Sequence, residues 1–290
     1  MSTPHSIPMA TADQRLYDVL ALLERGVTAL LTGDGFAAYL RAMARFPTYS
    51  VRNVALIHAQ RPDATHVAGY RTWQTLGRQV RRGERGIRIL VPHRRPVAAE
   101  ERQEEPEAEQ RAVVSGFGVA SVFDIAQTEG EPLPTPLAPR PLAGDSALAG
   151  WLWEQLAAFL VGDGVSLARY ALDRGNGVYW PAYRRIVVNA DLPGDHAVKT
   201  LAHECAHHVA VTRGLARRDG RRGDAEVIAE GAAFVVLAHV GLDTGGYSFP
   251  YVAGWAGERA TLAHNLEAIH ATAATIIAAI EAQAAEAVAA

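Results

Sequence analysis

Five consecutive residues of the 290-residue chain, His203-Glu204-Cys205-Ala206-His207, have the types and spacing to hold a metal ion and to move a proton beside it. On a helix turning about 100° per residue, histidines four apart face the same way. Two imidazole nitrogens then converge where one zinc ion accepts both. Glu204, next to the first histidine, is placed to take a proton from a water activated by the ion, the general-base role in metal-assisted hydrolysis. Cys205 is about 200° round the helix from His203, which sends it into the core rather than to the metal. His208, the neighbour of the second ligand, points elsewhere and is read as structural.

Two histidines leave zinc short of a third protein ligand. Glu226 and Glu230 lie one turn apart on the next helical segment, which is otherwise built of Ala, Val, Ile and Phe. Two acids on the buried side of an apolar helix are unfavourable unless something pairs them. A metal ligand and a carboxylate holding a histidine N–H satisfy that need, and the spacing allows either assignment. Asp224, just ahead of the apolar run, reads as the helix N-cap. The pattern resembles the gluzincin metallopeptidases, in which HExxH is followed about two dozen residues later by ExxxD or ExxxE. That resemblance implies Glu226 as the ligand and Glu230 as the residue orienting the first histidine. The segment Gly177–Asn189 reads as a hairpin, either plainly structural or lying over the cleft with an edge free to pair with a peptide. Tyr247 and Tyr251 are candidate transition-state stabilisers, with packing as their alternative role.

These residues need elements to position them. Helical patterns run over Asp13–Leu31, Phe36–Ala44 and Val51–Ala59, and strand patterns over Val67–Tyr70 and Ile87–Pro92. Val113–Gln127 is apolar and β-branched enough for one strand or two. Further on, a helix Ser146–Val161 capped by Asp145 precedes strands Val165–Leu172 and Arg185–Asn189. Helices follow over Ala197–Thr212, Ala225–Val240 and from Ala256 onward. The expected fold class is α+β in two domains. Residues 11–133 form a mixed α/β domain with a charged insert at 98–111, and a Pro-rich linker spans 134–144. Residues 145–290 form a mainly helical, gluzincin-like domain with a small sheet.

The formal charge of −3, with 49% hydrophobic and 20% charged residues, excludes a uniformly basic tail-type nucleic-acid binder and an acidic disordered chain. Resolved by segment the charge is polarised. Arg41–Arg95 holds twelve arginines against Asp63 and Glu84, a charge of +10, while residues 96–131 hold two arginines and nine acids, −7. Phe46, Tyr49, Tyr70 and Trp73 are interleaved with the arginines. Guanidinium groups for phosphates and flat side chains for base stacking are the usual parts of a single-strand binding site. The candidate contacts are Arg45, Tyr49, Arg52, Asn53, Tyr70 and Arg71, followed by Trp73, Arg78, Arg81, Arg82 and Arg85. The single cysteine excludes an intramolecular disulfide and fits a reducing compartment. The N-terminus has no basic-then-apolar signal pattern, and the apolar stretch Ala268–Ile280 is too short to span a bilayer. A cytoplasmic protein is expected.

Three runs carry a second resemblance. They are Gly69-Tyr70-Arg71-Thr72-Trp73 continuing through Gly77, Gly83 and Gly86 to Ile87, the run Tyr49-Ser50-Val51-Arg52-Asn53 upstream, and Val122-Phe123-Asp124-Ile125-Ala126-Gln127 downstream. Together they resemble the N-terminal single-stranded-DNA-binding domain of ArdC-type antirestriction proteins, whose order of domains, DNA-binding then zinc metallopeptidase-like, matches most of the chain. The resemblance implies antirestriction or protection of mobile-element DNA, single-stranded DNA and a DNA-associated protein substrate as partners, and Zn2+ as cofactor. The competing class is a non-enzymatic DNA-binding protein with a structural or vestigial zinc site. Glu204 argues against the vestigial form, because a structural site has no use for a general base.

Overall fold

The computed structural model describes residues 12–29, 33–95, 113–133, 144–216, 222–242 and 259–289. The acidic insert, the linker residues 134–143, Tyr247 and Tyr251 lie outside the described residues. The chain is mixed α and β and divides into two compact units. One comprises residues 1–29 and 52–132, the other residues 30–51 and 133–290.

The first unit holds helices α1 (Ala12–Ala29), α3 (Val51–Gln60) and α4 (Tyr70–Thr75) with strands β1 (Val67–Gly69), β2 (Arg78–Val80), β3 (Ile87–Arg95), β4 (Val113–Asp124) and β5 (Thr128–Gly130). The 12-residue β4 is the middle strand of an antiparallel sheet β1-β4-β3, so the apolar run read as one strand or two is a single long one through Asp124. Val19 of α1, Leu56 of α3 and Leu90 of β3 close a core completed by Leu16, Leu22, Leu23 and Val119. β3 would leave its second edge open, but two amides of α3 pair with it. Asn53 donates to the Leu90 carbonyl and accepts its N–H, both at 2.9 Å. Gln60 does the same for Arg88 at 2.8 and 3.0 Å. Residues seven apart on a helix rise about 10 Å but project from one face, and the two side chains reach residues two apart along that edge of β3. Two further differences from the sequence reading are local. Tyr70 opens α4 instead of ending a strand, and the short pair β2–β5 is absent from the expectation because three-residue strands carry no period.

The second unit holds α2 (Gly33–Arg45), α5 (Gly144–Gly162), α6 (Gly194–Thr212), α7 (Arg222–Val240), α8 (Arg259–Ala289) and a sheet of β6 (Ser166–Tyr170), β7 (Gly177–Trp180) and β8 (Arg185–Asn189) in the order β6-β8-β7. β6 runs parallel to β8 and β7 antiparallel, joined to β8 by a 3-10 turn at Pro181–Tyr183. α5 begins at Gly144, which puts the expected cap Asp145 inside its first turn. α7 begins at Arg222, so Asp224 also sits in a first turn, where its charge favours the helix dipole, rather than at the N-cap.

α2 departs from the expected boundary: it belongs with the second unit, where it packs on α7. Phe36, Tyr39, Leu40 and Met43 are fully buried, and the Tyr39 hydroxyl donates to the Val51 carbonyl at 2.8 Å. α8 is longer than the apolar stretch suggested. Its 24 residues Ala263–Glu286 are long and apolar enough to cross a membrane. Leu266, Ile269, Ile276, Ile277 and Ile280 are buried where the helix packs on α5, α6 and α7.

Candidate metal centre and basic face

α6 buries one face with Ala197, Val198, Leu201, Ala202, Cys205, Ala206 and Val209. It starts after Pro193, carries Asp195 in its first turn, and ends where Gly214 takes φ +66°. His196, Lys199, His203 and His207 are left on the opposite face and line a cleft of about 640 Å3, together with β7 and the acids of α7. Cys205 is fully buried in the core, where burial pushes its thiol well above the ordinary range.

His203 Nε2 and His207 Nε2 lie 3.1 Å apart. Glu226 Oε2 is 3.4 Å from the first and 3.6 Å from the second. Four ligands at tetrahedral angles around zinc, with bonds of about 2.0–2.1 Å, stand about 3.3–3.4 Å from one another. The three donor atoms therefore have the mutual spacing that one such ion requires. Glu230 Oε2 lies 3.0 Å from His203 Nδ1, a bond that fixes the direction of the ring and turns Nε2 toward His207 and Glu226. The two glutamates thus occupy different positions: Glu226 is at both Nε2 atoms, and Glu230 is behind one ring. Burial disfavours the His203 imidazolium, but hydrogen bonds to Glu226 and Glu230 outweigh it and raise its pKa to about 9. The same bonds to His203 and His207 hold the Glu226 carboxyl far below its usual range.

Glu204 is buried on the β7 side of the cleft and accepts the Tyr179 backbone N–H. Burial raises its pKa, and the neighbouring His203 and His207 oppose that shift. A carboxylate so placed takes a proton more readily than one in water. β7 approaches so closely that a Cβ on Gly177 would stand 2.6 Å from Thr200 Cγ2 and 3.0 Å from Glu204 Oε1. Gly177→Ala is therefore expected to displace the Glu204 carboxylate and to cost about 1–3 kcal/mol by overpacking. Thermal unfolding and a crystal structure of the variant check this; an unmoved Glu204 at unchanged stability would contradict it.

His208 is fully buried, in keeping with a structural role. One ring nitrogen meets Asp163 and the other the Tyr179 hydroxyl at 2.9 Å. Asp163 is not singled out from the sequence, since it lies in a loop with no motif spacing to the histidines, and Gly177 and Tyr179 fall within the segment read as a hairpin without a role of their own.

In the first unit the basic candidates separate. Trp73 is 1% exposed and its indole N–H donates to the Phe123 carbonyl at 2.8 Å, so it is a core residue with no face to offer a base. Asn53 is spent on β3. Arg78 donates to Thr128 Oγ1 and to the Glu131 carbonyl, clamping β5. Arg81 bonds Glu84 at 2.9 Å and the Ala126 carbonyl, and Gln127 followed by Arg81 lowers the Glu84 pKa. Arg45 and Tyr49 belong to the second unit; Tyr49 is half-buried, edge-on to Phe46 at 6.2 Å, and burial raises its phenol. Arg52, Arg71, Arg82 and Arg85 are exposed. Tyr70, Arg81 and Arg82 do come together, around a groove of about 500 Å3 that also includes Phe123, Glu84 and Glu129.

Residues 10–123 match the family described as the N-terminal domain of anti-restriction factor ArdC. This part of the chain is therefore similar to the N-terminal domain of ArdC. Just beyond the matched residues, Asp124 accepts the N–H groups of Thr65, His66 and Ala126, and Gln127 accepts the Asp124 N–H, which fixes the end of β4. The crystal structure of antirestriction ArdC protein from the R388 plasmid in its Mn(II)-bound form is similar to this chain over 92% of its length and 98% of the crystallised chain. Their sequences are 19% identical and the TM-score is 0.53, a likeness of fold. The metal-free crystal structure covers 82% and 86%, with 23% identity and a TM-score of 0.49. An uncharacterized protein of Bacillus anthracis is 26% identical over 247 residues, 73% of this chain and 41% of the relative. The chain thus spans about two fifths of that relative's length.

Proposed function

We propose that this protein binds single-stranded DNA through its first unit and carries a zinc-dependent, gluzincin-like metallopeptidase domain in its second, acting in the cytoplasm in antirestriction or protection of mobile-element DNA. The observation that carries the reading is the convergence of His203 Nε2, His207 Nε2 and Glu226 Oε2 beside the buried Glu204. The ligand atoms lie within 4.8 Å of one another. The Mn(II)-bound ArdC relative supports a divalent ion as cofactor, and the two-imidazole, one-carboxylate donor set favours zinc.

A divalent cation in this site supplies Lewis acidity toward a carbonyl and makes water a stronger acid. The residues of the chain do the rest. His203, His207 and Glu226 bind, and Glu230 fixes the tautomer and direction of His203. Glu204 takes the proton of the attacking water and passes it to the leaving amine. β7, an edge strand bordering the cleft, offers backbone groups to an extended peptide. On the first unit, the exposed Arg52, Tyr70, Arg71, Arg82 and Arg85 are the candidate contacts for bases and phosphates.

The test compares the proteomes of cells expressing wild type and Glu204→Gln. Proteins cleaved only in the wild-type cells, with zinc retained in the variant, are the expected result and identify the substrate. Identical proteomes would leave a DNA-binding protein without peptidase activity.

A further inference from the structure

We propose that the outward face of the sheet β6-β8-β7 in the second unit is a second contact surface for single-stranded nucleic acid. It extends DNA binding beyond the first unit and does not depend on peptidase chemistry.

Residues paired across strands share a face, and alternate residues face opposite ways. Gly177 and Tyr179 of β7 point to α6, where they meet Glu204 and His208. Trp180, one residue on, points the other way and lies opposite Arg185 of β8. Arg185 in turn reaches Tyr170 of β6, with its guanidinium 5.5 Å from the ring centroid and 3.2 Å from the hydroxyl. An arginine on the central strand is therefore flanked by an aromatic ring on each outer strand. Tyr183 projects from the turn that follows Trp180.

Exposure sets this face apart. Among the described residues six aromatic side chains are exposed, Tyr17, Tyr70, Phe117, Tyr170, Trp180 and Tyr183, and three of the six are here. Tyr170 is 53% exposed and Tyr183 78%. Exposed aromatic rings gathered on one small sheet and its adjoining turn form a surface suited to a flat partner. The charge names its sign. Residues 163–189 carry four arginines and two acids, Asp163 and Asp173, a charge of +2 within a chain of −3. Arg184 pairs with Asp163 and Arg169 bonds the Ala190 and Leu192 carbonyls. Arg185 is the guanidinium on the face of Trp180 and Tyr170. Aromatic rings on an open sheet face, interleaved with guanidinium groups, are the arrangement on which successive bases stack while phosphates are neutralised. A peptide would need apolar pockets or an exposed backbone edge, and this face offers rings.

The full-length protein is to be cross-linked to a 15-mer of thymidine carrying 4-thiothymidine, and the adducts mapped by mass spectrometry. Adducts are expected on the peptide containing Trp180 and Tyr183 as well as on the first unit. Trp180→Ala/Tyr183→Ala should weaken binding about tenfold, and Arg185→Ala should reduce the log–log salt slope by about 0.7, at unchanged melting temperature. Adducts confined to residues 52–132, with unchanged affinity in the double variant, would overturn this surface and leave the first unit as the sole site. Adducts confined to residues 165–189 would support it and overturn the placement on the first unit. A wild-type protein that binds no single strand would overturn both. Loss of a co-purifying protein from the double variant with DNA affinity intact would assign the face to a protein partner and overturn the proposal.

Discussion

Glu226→Gln is expected to lose zinc by more than a hundredfold in affinity, while Glu230→Gln retains it about 10–100-fold more weakly than wild type. The difference follows from where each carboxylate sits. Glu226 Oε2 is equidistant, within 0.2 Å, from two nitrogens that face each other, and its amide replacement removes the anionic donor. Glu230 touches only the far nitrogen of His203. Its loss frees the ring to rotate and to change tautomer, but all three donors remain. Competition against a chromogenic chelator at fixed pH measures both constants. The reverse order, with Glu230→Gln losing the metal and Glu226→Gln keeping it, would exchange the two roles.

Trp73→Ala is expected to destabilise the first unit by about 3–5 kcal/mol. The ring is wholly enclosed, and its removal also leaves the Phe123 carbonyl without its donor. Against the 5–15 kcal/mol that typically holds a domain folded, this is a large share, and melting should fall by more than about 10 °C. Any loss of DNA binding in that variant would report unfolding. Trp73→Phe separates the two: it keeps most of the packing, loses the hydrogen bond, and should bind single-stranded DNA within about twofold of wild type. A Trp73→Phe protein that melts normally yet binds far more weakly would make the residue a contact after all.

The geometry of the candidate metal site was more legible in the sequence than that of the candidate DNA face, for a physical reason. His203, Glu204 and His207 lie on one helix, whose period fixes their relative directions, and Glu226 and Glu230 repeat that logic on α7. Spacing left open which acid is the ligand, because that depends on how two helices approach. Trp73 and Arg78 were misassigned because arginine and tryptophan serve two purposes with one composition. A guanidinium that clamps three carbonyl groups and one that awaits a phosphate look alike in a sequence. Asn53 is a sharper case, since its role depends on β3 lying 37 residues away. The hairpin was foreseen as β7 and β8, whereas its outward rings were not, because strand polarity is readable only once one face is covered.

The placement of α2 bears on inheritance. The chain leaves the first unit after α1, contributes Phe36, Tyr39, Leu40 and Met43 to the second, and returns at Arg52. A recombination breakpoint in residues 134–143 would exchange the metal-site unit without the helix that covers α7. Each new partner would have to supply that helix from its own first half. The two units are thus stitched into one heritable piece, and shuffling of either half alone would yield a chain with an uncovered core.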